Sequence, residues 1–199
     1  MIVAGLTGSI AMGKSETARM FAARGIPVFD SDATVHDLYA RGGEAVAPLA
    51  ALVPSAIVDG AVDRRLLAAS IQEDPALLRK IEAVVHPLVK ARQAEFLSRC
   101  RSEGAALVVL DIPLLFETGR DKDVDRILVV TTSAAVQKER ALKRPGMTEE
   151  KLTFILSKQM PDAEKRARAD YVIDTSVDLE TTARDVERII DELKKIGQG

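Results

Sequence analysis

The sequence predicts an α/β fold built on a mostly parallel sheet, and two observations carry that expectation. Apolar runs bounded by turn residues alternate with amphipathic segments, which is the pattern of βαβ units. A glycine loop, GSIAMGKS over residues 8–15, sits between the first apolar run and the first amphipathic segment. At 199 residues the chain suits one compact core with an excursion or two.

Taken in order, strands are expected at 2–6, 27–29, 106–110, 126–130 and 171–173. The first helix begins inside Gly13-Lys14-Ser15 and stops before Gly25, a residue suited to a left-handed cap, and Pro27 opens the second strand. Residues 32–104 show no strand pattern and are too many for a simple crossover, so they read as an inserted helical subdomain. Within it Asp63 caps a helix over 64–72, and Asp74-Pro75 starts another. His86-Pro87 restarts the helix, which runs to about Glu103 and ends at Gly104, with Val89, Phe96 and Cys100 on its apolar side.

After the fourth strand, Thr132 or Ser133 caps a helix reaching Arg144, which Pro145-Gly146 breaks. A further helix is expected from Thr148 to Met160, with Glu149 and Glu150 in the first turn as the macrodipole favours. These two helices carry a cluster of basic residues and read as a mobile flap. The last segment, 179–196, has a core-facing stripe of Leu179, Val186, Ile189, Ile190 and Leu193. The expected organisation is therefore a core of 1–31, 104–135 and 166–199, a helical insertion of 32–103 and a flap of 136–165.

Composition narrows the partners. Lys plus Arg total 28 against 30 Asp plus Glu, a net charge of -2, which gives no electrostatic footprint for a nucleic acid. No apolar stretch reaches the length of a membrane span and no basic leader with a long apolar segment opens the chain, so a cytoplasmic protein is expected. The single cysteine, Cys100, can neither pair within the chain nor build a zinc site. No obligate protein partner is inferred.

The loop carries the chemistry. GSIAMGKS fits G-x-x-x-x-G-K-[ST], in which backbone N–H groups cradle phosphate oxygens at a helix N-terminus and glycine allows the close approach. Lys14 would bridge the β- and γ-phosphates, and the Ser15 hydroxyl would ligate Mg²⁺. The chain contains no asparagine, which excludes the Asn-Lys-x-Asp guanine reader of a GTPase. A flap closing over two small substrates suits a kinase, since excluding water directs the phosphoryl group to the acceptor.

An acceptor hydroxyl needs a carboxylate at the carboxyl end of a strand. Asp30 and Asp32, in VFDSD, both meet that condition, and each has a second reading as the cap of a helix near Ala33; Asp32 is the better general base. Asp111 ends the apolar run LVVLD and has two readings, an acid holding magnesium through water or a structural residue. Arg140 and Arg144, four apart, would share a helical face and clamp developing phosphoryl charge, or else form an ordinary surface face.

The loop, VFDSD, HPLVKAR, DIPLLFE and QMPDAEKRARADYVID occur in that order, and the sequence resembles the dephospho-CoA kinase family along nearly its whole length. The resemblance implies transfer of the ATP γ-phosphate to the ribose 3′-hydroxyl of dephospho-CoA, the last step of CoA synthesis. It also implies a P-loop kinase core of five parallel strands, a helical acceptor domain and a lid. Carried over by residue, it makes Asp32 the general base with Lys14 and Arg140 at the reacting phosphates, and Arg64, His86 and Arg92 acceptor-binding alongside Asp32. For His86 the alternative is a histidine that fixes the helix junction before Pro87. The nucleotide set becomes Gly8, Ser9, Ile10, Ala11, Met12, Gly13, Lys14, Ser15, Glu16 and Arg144, with Ser15 and Asp111 toward Mg²⁺. Two positions depart from the family pattern: Ala11 stands where glycine is usual, and Glu16 where threonine is common. The Ala11 methyl could narrow the cradle or oppose a positive φ, and both departures bear on nucleotide affinity rather than reaction type.

Overall fold

The structure is a computed structural model that describes residues 1–197. Strands β1 (Ile2–Thr7), β2 (Val28–Asp30), β5 (Leu107–Asp111), β6 (Arg126–Thr131) and β7 (Tyr171–Asp174) form a parallel sheet in the order β2-β5-β1-β6-β7. Register is direct: Leu6 lies opposite Asp111 and Leu128, and Thr131 opposite Asp174. All five residues of β5 are buried, as a central strand covered on both faces requires. Helices α1 (Lys14–Ala23) and α9 (Leu179–Ile196) cover one face, where Phe21, Ile189 and Leu193 pack on Ala4, Leu6 and Leu128.

The chain divides into two compact units, one made of Met1–Phe29 with the chain from Cys100 onward, the other of Asp30–Arg99. The second unit holds α2 (Ser31–Tyr39), α3 (Val46–Leu52), the short hairpin β3 (Ile57–Val58) with β4 (Ala61–Val62), α4 (Arg64–Glu73) and most of α5 (Ala76–Ser102). Its own core gathers Leu38, Leu49, Val62, Leu67, Ile81 and Val85. The hairpin went unpredicted although its signal was present: Asp59 and Gly60 both take positive φ, the Asp-Gly turn that matches strand twist.

Several boundaries differ from expectation. His86-Pro87 does not restart a helix; α5 is continuous for 27 residues with Pro87 inside it. Proline removes one bond to the carbonyl four residues back, and here Ala83 and Pro87 both lie on the exposed side, where that loss is cheapest. The flap helix α6 (Ala134–Leu142), capped by Ser133, stops before Arg144, because a residue preceding proline avoids the helical region. Helix α7 (Glu149–Ser157), capped by Thr148, ends before Met160, and Pro161 then leads into an unpredicted α8 (Asp162–Ala167). The expected flap boundary at 165 falls inside α8, whose Asp162 accepts from Thr131 Oγ1 at 2.9 Å on β6. Leu179 is 66 % exposed and leaves the α9 stripe, since it is the first residue after the Asp178 cap.

Candidate active site

The loop after β1 is shaped by its neighbours. A Cβ at Gly8 would lie 2.7 Å from the Val130 carbonyl oxygen, and at Gly13 (φ +94°) 2.9 Å from Thr175 Oγ1, so both positions need glycine for space and the second for conformation as well. Gly13 also precedes α1, which no side chain caps. The N–H groups of Ala11, Gly13, Lys14 and Ser15 take no acceptor from the protein among the described residues. Four free donors at a helix N-terminus form a cradle for anionic oxygens.

Lys14 Nζ pairs with Asp111 Oδ1, and both side chains are largely enclosed. That contact joins the loop to the carboxyl end of β5, as the placement of Asp111 after LVVLD allows. Glu16 stands in the first turn of α1, where the dipole favours a carboxylate, and it pairs with Arg19 at 3.1 Å. The helix dipole and the Arg19 pair together accommodate a carboxylate at this position.

A cavity of about 270 Å³ opens beside the loop. Ala11, Gly13, Glu16 and Thr17 line it on the loop and α1 side, and Arg140, Arg144 and Thr175 on the other. Arg140 donates to Thr175 Oγ1 at 2.9 Å and to the Thr175 carbonyl at 2.8 Å, which fixes its guanidinium at the cavity wall. Thr175 Oγ1 lies 2.8 Å from the Met12 carbonyl oxygen, so one threonine ties the loop to the arginine. Arg140 and Arg144 thus meet at one cavity without sharing a helical face, because α6 ends at Leu142. Sequence reasoning missed Thr175 and the remaining lining residues Thr17, Met20, Leu179 and Thr182. The available signal was position, Thr175 being the first residue past the carboxyl end of β7.

Ala11 has φ +62°, the conformation that glycine favours, and its methyl packs with Ala141 and Leu152. Replacing it with glycine removes a left-handed penalty of about 1 kcal/mol and also the burial of one methyl, about 0.8 kcal/mol. Ala11→Gly is therefore expected to shift Tm by less than about 3 °C in a thermal melt, since 1 kcal/mol corresponds to about 2–4 °C at this size. A larger fall would mean that the methyl contact outweighs the backbone cost.

In the second unit the structure separates the two aspartates. Asp30 Oδ1 accepts from the Ala33 N–H at 2.9 Å and caps α2. Asp32, two residues past the end of β2 and in the first turn of α2, is exposed, and its carboxylate has no protein partner among the described residues. Arg64 follows the Asp63 cap of α4 and lies over the Tyr39 ring, 5.5 Å from its centroid. Burial pushes the Tyr39 hydroxyl above its ordinary pKa, with the Arg64 charge opposing. Arg92 is paired with Glu44 at 2.5 Å and with Glu95 at 3.7 Å, so its charge is already neutralised. His86 is exposed within α5 and fixes no helix junction.

The family model for dephospho-CoA kinase matches residues 1–181. A dephospho-CoA kinase of Mesorhizobium japonicum is 55 % identical over 194 residues, covering 98 % of both chains. Among solved structures, TT1252 from Thermus thermophilus superposes with a TM-score of 0.82 at 38 % identity, covering 96 % of this chain and 97 % of that one. Dephospho-CoA kinase from Campylobacter jejuni shares the fold, with a TM-score of 0.73 at 22 % identity over 97 % of each chain.

Proposed function

The chain belongs to the dephospho-CoA kinase family, kinases that phosphorylate dephospho-CoA with ATP in the last step of CoA biosynthesis, and from that premise we propose how its own residues divide the work. The observation that carries the reading is the uncapped start of α1, with free N–H groups beside a cavity walled by Arg140 and Thr175.

The triphosphate lies along residues 8–15, its oxygens taking the N–H groups of Ala11, Gly13, Lys14 and Ser15. The base and ribose of ATP occupy the 270 Å³ cavity, and Arg140 and Arg144 meet the charge that develops on the phosphoryl group. Lys14 exchanges part of its contact with Asp111 for the β- and γ-phosphates. Asp32 accepts the proton of the ribose 3′-hydroxyl, whose oxygen forms the new bond to the γ-phosphorus. The bond from that phosphorus to the β-γ bridging oxygen breaks, and ADP departs. Arg64, His86 and Arg92 are assigned to the acceptor side, and of these the Arg64 guanidinium, stacked on Tyr39, is the best prepared for a phosphate.

The residues present fit Mg²⁺. The exposed Ser15 hydroxyl would hold the ion directly and the Asp111 carboxylate through water, two hard oxygen donors too few to hold a cation alone, with phosphate oxygens and waters supplying the rest. No group of three or more His, Cys, Asp or Glu among the described residues offers a competing site. Bound there, the ion would neutralise phosphate charge. No helix among the described residues is long and apolar enough to cross a membrane, and we assign the reaction to the cytoplasm.

ADP release with Mg-ATP tests the reading when dephospho-CoA, a nucleoside monophosphate panel and no acceptor are compared. Release with dephospho-CoA alone, and a product heavier by one phosphoryl group, is the expected result. Equal release with a nucleoside monophosphate would overturn the acceptor assignment.

A further inference from the structure

The motif QMPDAEKRARADYVID contributes a residue that the reaction above does not use. Gln159, between α7 and α8, accepts from the Ile10 N–H through its Oε1 at 3.0 Å. Gln137, buried on α6, donates from Nε2 to the Ile10 carbonyl oxygen at 2.8 Å. One peptide residue at the tip of the phosphate loop is thus held on both sides by two glutamines about twenty residues apart in sequence. The orientation of each amide is forced, because a backbone N–H can only donate and a carbonyl can only accept.

The surroundings make this grip specific to the loop. Ile10 and Ala11 pack with Ala141, Met147, Leu152 and Leu156, so α6 and α7 seat an apolar surface on the same two residues. Ile10 immediately precedes Ala11, the first of the four free N–H groups, and both of its own backbone polar groups are satisfied by the glutamines. Gln159 is itself placed by its neighbour, since the Met160 N–H donates to Glu117 Oε1 at 2.8 Å.

We propose that Gln137 and Gln159 are positioning residues that clamp the Ile10 peptide and so hold the following amides convergent on the triphosphate. The proposal rests on reading residues 8–15 as the triphosphate site. A loop with an unheld tip must order itself when phosphate binds, and that cost appears as lost affinity for phosphate but not for the nucleoside. The two sides of the clamp differ in chemistry. A carboxylate at 159 can still accept from the N–H, whereas a carboxylate at 137 cannot donate to a carbonyl.

Two measurements on the full chain test this. In the first, amide exchange at Ile10 is followed without nucleotide: Gln159→Met is expected to raise its rate at least about tenfold, and Gln159→Glu to leave it protected. Exchange unchanged in Gln159→Met would overturn the clamp. In the second, calorimetry compares ATP and adenosine: Gln159→Met and Gln137→Met each weaken ATP about tenfold with adenosine unchanged, and Gln137→Glu does no better than Gln137→Met. Parallel loss of both ligands, or no loss of either, would show that the glutamines only support the fold. If the unaltered chain bound ATP no better than adenosine, the triphosphate-site reading would itself fail and the clamp's role with it, while the exchange result would still report whether Ile10 is held.

Discussion

Asp32→Asn is expected to lower kcat by about 10²–10⁴, the range for loss of a positioned general base, while the ATP affinity stays near that of the unaltered chain. The structure supplies the reason for choosing this aspartate. Asp30 is committed to the Ala33 N–H as the cap of α2, and the Asp32 carboxylate has no such commitment among the described residues. Asn at 32 keeps the size and one acceptor oxygen but cannot take the proton. Asp30→Asn serves as the control: asparagine caps about as well as aspartate, so kcat should change little and stability by less than about 1 kcal/mol. Full turnover by Asp32→Asn, measured as ADP release with saturating dephospho-CoA, would remove Asp32 from the role.

Glu117→Gln is expected to be the most destabilising of the substitutions considered. Lys165 is fully buried, and its Nζ lies 2.8 Å from Glu117 Oε1. Glutamine retains the acceptor for the Met160 N–H and removes only the charge, leaving a buried ammonium without its counter-ion at a cost of about 3–5 kcal/mol. For a chain of this size that is a fall in Tm on the order of 10 °C. Glu117→Gln combined with Lys165→Met should be more stable than Glu117→Gln alone, because no unpaired charge remains. If Lys165→Met brought no recovery, the loss would come from something other than the stranded ammonium.

The same pair predicts an acid dependence. Burial pushes the Glu117 carboxyl up, but the Lys165 ammonium, its own N–H and that of Met160 together outweigh this and hold it below the ordinary value of 4.5. A carboxyl depressed in the folded state contributes stability that is complete above its unfolded pKa and is lost as pH falls through the folded one. The contribution is therefore complete well above pH 4.5 and is lost progressively as pH falls below it. Melting curves between pH 3 and 6 should show a shallower acid limb for Glu117→Gln than for the unaltered chain.

The comparison of sequence with structure separates what is local from what is not. All five strands of the main sheet were legible to within a residue or two, because each is a short apolar run bounded by turn residues, and so were the caps at Asp63 and Thr148 and the Thr132-Ser133 pair of which Ser133 caps, since a cap acts within three residues of itself. The family and its reaction were legible too, since the glycine loop and the ordered motifs lie along the chain. Helix α5 was misread at Pro87 because the penalty of a proline depends on whether the freed carbonyl faces solvent, and local sequence does not say.

The sequence by itself determined the fold class, the phosphate loop and the identity of the chemistry, all of which follow from short-range residue patterns. Only the tertiary structure decided which aspartate is free, that Arg140 is held by Thr175, that Lys165 is buried against Glu117, and that Gln137 and Gln159 converge on Ile10. Apart from the two aspartates, these are contacts between residues 35 to 149 positions apart. A parallel sheet brings such residues together because the carboxyl ends of all its strands open on the same side, and the order in which the strands pair is set by packing rather than by any single segment.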